Sequence, residues 1–187
     1  MKSLEKIANK NVLVTGAAGT VGRALLSLLH SSGASALYGV DNNEAALFQS
    51  LQDDAGEFSP ILTDVRDQGA MIKALRGVDI VFHLAAVKHV GFSETTPMEA
   101  VKTNILGVSS VIDAALECDV EQVINTSTDK AVNPFSVMGA SKLMGEQLIR
   151  AANLASGSTR FSSTRFGNVL GSSGSVVPVF RRQLEQG

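Results

Sequence analysis

A short segment past the middle of the chain carries the side chains best suited to acid–base chemistry. The segment "STDKAVNPFSVMGASK" ends at Lys142. Asp129 and Lys130 place a carboxylate beside an amine, directly after the Thr128 hydroxyl, and such a pair can act as acid and base. Lys142 follows Met138 by four residues, one turn along the same helix face. The alternative interpretation of Asp129 and Lys130 is a solvated loop pair.

A glycine-rich turn near the N-terminus is typical of a dinucleotide site. "TGAAGTVG" follows a predicted strand and opens a predicted helix, so its backbone can approach a pyrophosphate and its helix N-terminus can attract the phosphates. The alternative is a purely structural glycine turn. The P-loop pattern Gly-x-x-x-x-Gly-Lys is absent from the sequence. The predicted cofactor contacts are Gly16, Ala18, Gly19, Thr20, Val21 and Gly22.

The carboxylate at the end of the second predicted strand favours NAD as the cofactor. Asp41 lies 19 residues after Gly22, where a carboxylate can accept hydrogen bonds from the adenosine ribose and would repel a 2′-phosphate. Asn42 follows it, rather than an arginine that would suit NADP, although NADP is not excluded. The alternative role for Asp41 is to cap the next helix.

Two further strand ends complete the predicted cofactor site. Asp64 and Val65 could close over an adenine, with the carboxylate accepting its exocyclic amine. The alternative is that Asp64 caps the helix beginning near Asp67. Small side chains at Ala85 and Ala86 allow a cofactor to pass close to the backbone. Lys142, placed as above, could bond the nicotinamide ribose and lower the pKa of a neighbouring hydroxyl.

Three polar residues are candidates for binding a substrate that carries a diphosphate. Arg165 and Asn168 end the sixth predicted strand in "RFGNVLGSSGSVVPVF", before a loop rich in glycine and serine. Lys88 follows the fourth strand and could face a phosphate or a sugar. The alternatives are a plain glycine-rich connection and an ordinary solvated lysine.

All of these residues lie at the ends of predicted strands, and the predicted strands alternate with predicted helices along the chain. The sequence predicts an α/β, Rossmann-like doubly wound parallel sheet with helices on both faces, and a ligand crevice at the carboxyl ends of the strands. Pro60 suggests an early or edge position for the third strand. The predicted strands span residues 11–16, 35–41, 58–65, 78–86, 120–128 and 159–169. The predicted helices span residues 20–33, 43–54, 68–77, 97–118 and 139–156, and another starts near residue 175.

Composition excludes several classes of protein. A net charge of −2 gives no basic footprint for nucleic acid, and the single cysteine excludes an internal disulfide framework. The histidines lack metal-ligand spacing, so no metal site is predicted. No apolar run reaches the length of a membrane span. We expect a cytoplasmic protein.

Taken together, the motifs resemble the extended short-chain dehydrogenase/reductase superfamily. More narrowly, they are similar to the polysaccharide-biosynthesis family of UDP-N-acetylglucosamine 4,6-dehydratases. The resemblance runs from "NVLVTGAAGTVG" through "FHLAAVKHV", "KTNILGV" and "NTSTDKAVNP" to "RFGNVLGSSGSVVPVF". It implies that bound NAD(P) transiently oxidises C4 of a UDP-sugar while water is lost across C5 and C6. By the same resemblance Thr128 would bond the 4-oxygen, and Asp129 and Lys130 would serve the elimination.

The chain departs from the superfamily pattern at one catalytic position. Met138 stands where a tyrosine usually takes the 4-hydroxyl proton, and a thioether cannot accept a proton at neutral pH. Large members of the family are similar in carrying methionine there. Lys142, Asp129 or Lys130 would then act as the base. The only tyrosine, Tyr38, is predicted on the adenosine side.

The resemblance also implies the domain organisation and the alternatives to a dehydratase. We expect residues 1–187 to form a NAD(P)-binding domain, the N-terminal part of a longer enzyme, with most of the C-terminal substrate domain absent. A homo-oligomer is expected. The alternatives are a nucleotide-sugar epimerase and a non-catalytic NAD-binding module.

Overall fold

The structure of the protein is a computed structural model that describes residues 6–52, 57–170, 180 and 183–185. The strands are β1 Asn11–Thr15, β2 Ala36–Asp41, β3 Ser59–Leu62, β4 Ile80–His83, β5 Gln122–Thr128 and β6 Arg160–Phe166. The helices are α1 Thr20–His30, α2 Glu44–Gln52, α3 Gln68–Leu75, α4 Val90–Thr95, α5 Pro97–Val101, α6 Gly107–Glu117 and α7 Val137–Ala155. A π-helical segment, Lys102–Leu106, joins α5 to α6, and a 3-10 turn, Asp129–Ala131, follows β5.

The strands form one parallel sheet in the order β3-β2-β1-β4-β5-β6. The chain winds outward from β1 to β3, returns to the centre at β4, and winds the other way to β6. The direction therefore reverses between β1 and β4, where a doubly wound sheet leaves a crevice at its carboxyl edge. The predicted fold is confirmed, and β3, which contains Pro60, is an edge strand of the described sheet.

Successive strand residues point to opposite sides of the sheet, so each strand has apolar side chains on both faces. Helices cover both of these faces. Leu13, on one face of β1, belongs to a core cluster with residues of α3, α6 and α7. Val12 and Val14, on the other face, pack with Leu26 and Leu29 of α1. Within the described residues, no helix combines the length and apolar character needed to cross a membrane.

The long helix predicted over residues 97–118 is interrupted, and its predicted inner face is wrong at the start. The π-helical segment adds a residue to one turn and so rotates the face that meets the sheet. The apolar repeat of Met98, Val101, Ile105, Val108 and Ile112 predicts that inner face, but Met98 is 58% exposed, whereas Asn104 is buried. The sequence reasoning also missed α4, which lies in the predicted loop before this helix.

Smaller differences concern helix positions. The apolar repeat of Val21, Leu25 and Leu28/Leu29 predicts the inner face of α1; Leu29 is buried, but Leu28 is exposed and Leu26 is buried as well. Helix α7 begins at Val137, ahead of the predicted Gly139, because the Ser136 hydroxyl accepts a hydrogen bond from the Gly139 N–H at 3.1 Å. The helix predicted from residue 175 onward falls mostly outside the described residues.

Candidate functional site

A cleft of about 770 Å³ opens at the carboxyl edge of the sheet, where the winding reverses. That volume lies within the usual range of ligand pockets. The cleft brings together most of the residues selected from the sequence, although they come from six separate segments. Its lining includes Gly16, Gly19, Thr20, Val21, Gly22, Asp41, Asn42, Asp64, Val65, Ala85, Ala86, Lys88, Lys130, Met138 and Asn168.

The first glycine turn is built for close backbone approach. Gly16 has φ +68°, and a β-carbon there would lie 2.8 Å from the Ala85 nitrogen. A β-carbon on Gly22 would lie 2.8 Å from the Ala17 α-carbon. Helix α1, which starts here, has no acidic residue in its first turn and no side-chain cap. Its positive N-terminal end is therefore suited to an anionic group.

Asp41 holds the glycine turn from the end of β2. Its carboxylate accepts hydrogen bonds from the Ala18 N–H and the Asn43 N–H, each at 3.0 Å. Asn43, not Asp41, caps α2, since its side chain accepts the Ala46 N–H at 3.0 Å. Each carboxylate oxygen of Asp41 keeps a second acceptor position, which a ribose hydroxyl could use.

Asp64 is held by a dense set of donors beside the cleft. It accepts the Arg66 backbone N–H at 2.9 Å, the Arg66 guanidinium at 2.9 and 2.6 Å, and the Asn42 amide at 3.1 Å. Burial would raise the pKa of Asp64, but these bonds outweigh it and lower the pKa to about 2. Helix α3 is capped by Asp67, which accepts the Ala70 N–H at 2.9 Å, and not by Asp64.

These four bonds bear on the predicted adenine contact. A carboxylate has about four acceptor positions, so Asp64 is saturated. A further donor, such as an adenine amine, must replace one of the present partners. The Asn42 amide forms the longest of the four bonds and is the partner displaced with least loss.

The β4 end of the cleft is fixed by Thr15. Its hydroxyl accepts the Leu84 and Ala85 N–H groups at 3.1 and 3.2 Å and lies 2.8 Å from His83 Nδ1. Because both backbone groups donate to this oxygen, the hydroxyl proton is directed to His83. Burial, and then the positive charge of Lys142, lower the pKa of His83 to about 3, so this ring is neutral.

The predicted acid–base residues lie together at the end of β5. Thr128 donates to Asp129 at 2.9 Å, and the Lys130 ammonium donates to Asp129 at 3.1 Å and to Asn168 at 2.9 Å. The bonds from Lys130 and Thr128 lower the pKa of Asp129. Asp129 is therefore an ionised carboxylate at neutral pH and carries no proton to donate.

Lys142 and Met138 line a second, smaller cavity of about 190 Å³ that adjoins this cluster and also includes Thr128 and Phe166. Met138 is 4% exposed and Lys142 is 7% exposed. Burial lowers the pKa of Lys142 to about 8, against an opposing effect of Glu146. Lys142 is therefore mostly protonated at pH 7 but loses its proton far more readily than an ordinary lysine, and it lies next to the methionine that occupies the predicted tyrosine position.

Arg165 lies apart from the other predicted binding residues. It is not among the residues that line either described cavity, and its guanidinium forms two hydrogen bonds with Glu146, at 2.8 and 2.7 Å. Lys88, by contrast, lines both cavities. Tyr38 is partly buried and packs against the core cluster that contains Leu13.

Sequence reasoning missed several residues that shape the site. Asn104 accepts the Val87 N–H and donates to the Val87 carbonyl, both at 2.9 Å, and donates to the Ser141 hydroxyl at 3.0 Å. It thereby joins the loop after β4 to α7. No local pattern marks Asn104, because Lys102 and Thr103 directly before it are also polar. Glu146 is likewise unmarked, because the polar Gln147 follows it directly.

A metal site finds no support in the part of the chain that the structure describes. Residues 6–52 and 57–170, with the few described residues beyond them, contain no group of three histidine, cysteine or carboxylate side chains placed to hold a metal ion.

Comparison with protein families and curated sequences places this geometry in context. Residues 12–187 match the family model described as polysaccharide biosynthesis protein. An uncharacterized membrane protein of Methanocaldococcus jannaschii is 43% identical over 96% of this chain and 55% of its own length. A UDP-N-acetylglucosamine 4,6-dehydratase (inverting) of Campylobacter jejuni is 42% identical over 95% of this chain and 54% of its own. A UDP-glucose 4-epimerase of Rickettsia akari is 39% identical over 96% and 54%.

Solved structures match the same region. The crystal structure of Pen from Bacillus thuringiensis has a TM-score of 0.91 and 38% identity, over 97% of this chain and 57% of that one. A UDP-glucose 4-epimerase from Brucella ovis, in complex with NAD, has a TM-score of 0.75 and 25% identity, over 85% and 52%. The chain spans about half the length of the curated relatives it matches.

Proposed function

Because the chain belongs to the polysaccharide biosynthesis protein family, we propose that it serves as the dinucleotide-binding and catalytic part of a UDP-N-acetylglucosamine 4,6-dehydratase. The observation that carries this proposal is the cluster of Thr128, Asp129, Lys130 and Asn168. Lys130 and Asn168 line the cleft that begins at the glycine turn, and Thr128 lines the smaller cavity together with Lys142. A module that only bound a dinucleotide would have no need of this cluster.

The cleft residues fit NAD. The positive φ of Gly16 and the uncapped start of α1 form a cradle for a pyrophosphate that a β-carbon would fill. Asp41 keeps acceptor positions for a ribose and opposes a 2′-phosphate. The Brucella ovis relative is described in complex with NAD, which supports the same choice. When bound, NAD supplies the hydride acceptor and donor that transient oxidation of a sugar carbon requires.

Different residues of the chain then carry out the individual proton transfers. Lys142 takes the proton of the sugar 4-hydroxyl, in place of the tyrosine that Met138 replaces. Among the three candidate bases it is the buried one, and its pKa of about 8 leaves a usable neutral fraction. The Thr128 hydroxyl bonds the 4-oxygen and orients the sugar.

Elimination of water falls to the neighbouring pair. Asp129, ionised and held by Thr128 and Lys130, accepts the proton from C5. The Lys130 ammonium donates a proton to the 6-hydroxyl, which leaves as water, so that one proton is taken, one is given and the sugar loses H₂O. Asn168 holds the Lys130 ammonium toward the cleft at 2.9 Å.

The test is to incubate the protein with UDP-N-acetylglucosamine and NAD⁺ and to look by mass spectrometry for a product lighter by one water. Asp129→Asn and Lys130→Met should abolish that product and leave NAD⁺ binding intact. Asp113→Asn, a change on the outer part of α6, is the control and should have no effect. NAD⁺ binding with no product from the wild type would contradict the dehydratase proposal.

A second candidate is a 4-epimerase, favoured by the Rickettsia akari relative named UDP-glucose 4-epimerase. The same assay separates the two reactions. An epimerase gives a product of unchanged mass whose sugar is resolved by chromatography, and Asp129→Asn should then leave most of the activity because no C5 proton is removed. Binding of NAD⁺ with neither product would support a non-catalytic module.

A further inference from the structure

Within the part of the chain that the structure describes, Lys142 is buried and has no ion-pair partner of its own. None of the ion pairs or hydrogen bonds found among the described residues involves its ammonium group, although it is only 7% exposed. Burial of a lysine favours its neutral form unless an anion lies against it. What determines the charge of Lys142 is therefore the position of the nearest carboxylate.

The nearest candidate carboxylate is Glu146. It follows Lys142 by four residues, so the two side chains lie on one face of α7, one turn apart. Its side chain is 12% exposed, and it is the group that opposes the lowering of the Lys142 pKa. Oppositely charged side chains four residues apart on a helix can reach each other, yet no ion pair between Lys142 and Glu146 is found among the described residues.

Arg165 explains why. Its Nε and one terminal nitrogen bind the two carboxylate oxygens of Glu146 separately, at 2.8 and 2.7 Å. This two-pronged arrangement is the strongest geometry for an arginine–carboxylate pair, and it fixes the orientation of the carboxylate. Arg165 lies on β6, and Lys142 and Glu146 lie on α7, so the packing of β6 against α7 decides which cation Glu146 meets.

We propose that Arg165 is a positioning residue for Lys142: by holding both carboxylate oxygens of Glu146, it keeps that carboxylate from forming an ion pair with the Lys142 ammonium. Lys142 is then left able to exchange its proton near neutral pH, as its role under the proposed function requires. Arg165 thus serves the site through Glu146 and not by contacting the substrate.

Other charged or titratable groups around Lys142 do not supply this control. They are His83 on β4, Lys88 in the loop after β4, Glu94 on α4, and Asp129 with Lys130 in the 3-10 turn. His83 is neutral, and Lys88, which lines the small cavity beside Lys142, is not a carboxylate that could pair with it. Glu94 accepts the Val137 N–H at 2.9 Å, and Asp129 is paired with Lys130. Glu146 remains the carboxylate within reach on the same helix face.

The inference is tested by titrating Lys142 itself, without cofactor or substrate. The midpoint is read from the lysine side-chain carbon and nitrogen NMR signals of the isotopically labelled protein, and Lys142→Met assigns the signal. Arg165→Met should raise the midpoint by on the order of one pH unit, because the freed carboxylate turns toward Lys142. Glu146→Gln should lower it below the wild-type value, because the opposing charge is gone.

The double variant decides between this account and a general loss of packing. Arg165→Met combined with Glu146→Gln should titrate like Glu146→Gln alone, since Arg165 acts only through Glu146. Arg165→Lys should lie between the wild type and Arg165→Met, because lysine keeps the charge and loses the two-pronged contact. An unmoved or lowered midpoint in Arg165→Met would overturn the proposal. If that variant does not fold, an unmoved midpoint in Glu146→Gln overturns it equally.

The titration is independent of the proposed reaction. A failed dehydratase assay leaves the Lys142 midpoints as they are, and unmoved midpoints leave the assay result as it is. The two proposals therefore fail separately, although the purpose assigned to Lys142 rests on the proposed function.

Discussion

Replacing Lys142 with methionine should make the folded protein more stable at neutral pH. The side chain is 7% exposed, and burial lowers its pKa from 10.5 to about 8. In the unfolded chain the lysine regains its ordinary pKa. Since each pH unit between the two pKa values corresponds to about 1.4 kcal/mol, the buried ammonium costs about 3 kcal/mol of folding free energy at pH 7. Methionine has a similar length and removes that cost.

The pH dependence follows from proton linkage. Between pH 8 and pH 10.5 the unfolded wild-type chain holds more protons at this site than the folded chain, so this site makes stability rise with pH. The cost is complete below pH 8 and is relieved by pH 10.5. The gain from Lys142→Met should therefore be about 3 kcal/mol at pH 7 and should shrink toward zero by pH 10.5.

Urea unfolding of both proteins at half-unit steps from pH 7 to pH 10.5 measures this difference directly. Other titrating groups are common to the two proteins and cancel in the difference. Lys73→Met is the matched control, because Lys73 is an exposed lysine on α3 and its removal should change stability little at any pH. A Lys142→Met protein no more stable than the wild type at pH 7, or a gain that does not vary with pH, would refute the reasoning.

Three further predictions concern the cleft. Gly16→Ala should cost about 1–3 kcal/mol of stability and weaken NAD⁺ binding at least tenfold, because φ is +68° and the new β-carbon meets the Ala85 nitrogen. Gly91→Ala, with no atom within 4 Å of its β-carbon, is the control for calorimetry and ligand titration. Asp64→Asn should remove on the order of 1 kcal/mol of stability above pH 4, less than the full shift in pKa implies, because the pair with Arg66 is partly exposed and solvent screens it. The variant should also lose less stability than the wild type between pH 4 and pH 2. In the wild type the contribution of Asp64 disappears over that range as pH falls, because its folded-state pKa is about 2. Acid unfolding of both proteins, monitored by circular dichroism, measures this difference. Asp41→Ser should reduce the preference for NAD⁺ over NADP⁺ about tenfold in competitive binding, and an unchanged preference would contradict its assigned role.

The fold and the glycine turn could be predicted because their signals are local. A glycine turn between a strand and a helix, followed by alternating apolar and helical segments, leaves few arrangements for a chain of this length. The shared location of Asp41, Asp64, Asp129 and Lys130 could be predicted for the same reason, since each lies at or just after the end of a strand and the carboxyl ends of parallel strands share one edge.

The remaining features depend on contacts between distant segments. The π-helical segment arises where Asn104 bonds both the Val87 backbone and Ser141, and no helical periodicity reveals such a junction. Arg165 was expected to face a substrate diphosphate because it ends a strand. Its pairing with Glu146 depends on the packing of β6 against α7, which the pattern of either segment alone does not specify.

The central claim is most directly tested by running the reaction in deuterium oxide. The protein is incubated with UDP-N-acetylglucosamine and NAD⁺, and the product is analysed by mass spectrometry and proton NMR. We expect a product that has lost one water and gained one deuterium at C5, because Asp129 removes the C5 proton and a deuteron from the solvent replaces it. A dehydrated product without deuterium at C5 would contradict the role given to Asp129, and a product of unchanged mass would contradict the dehydratase itself.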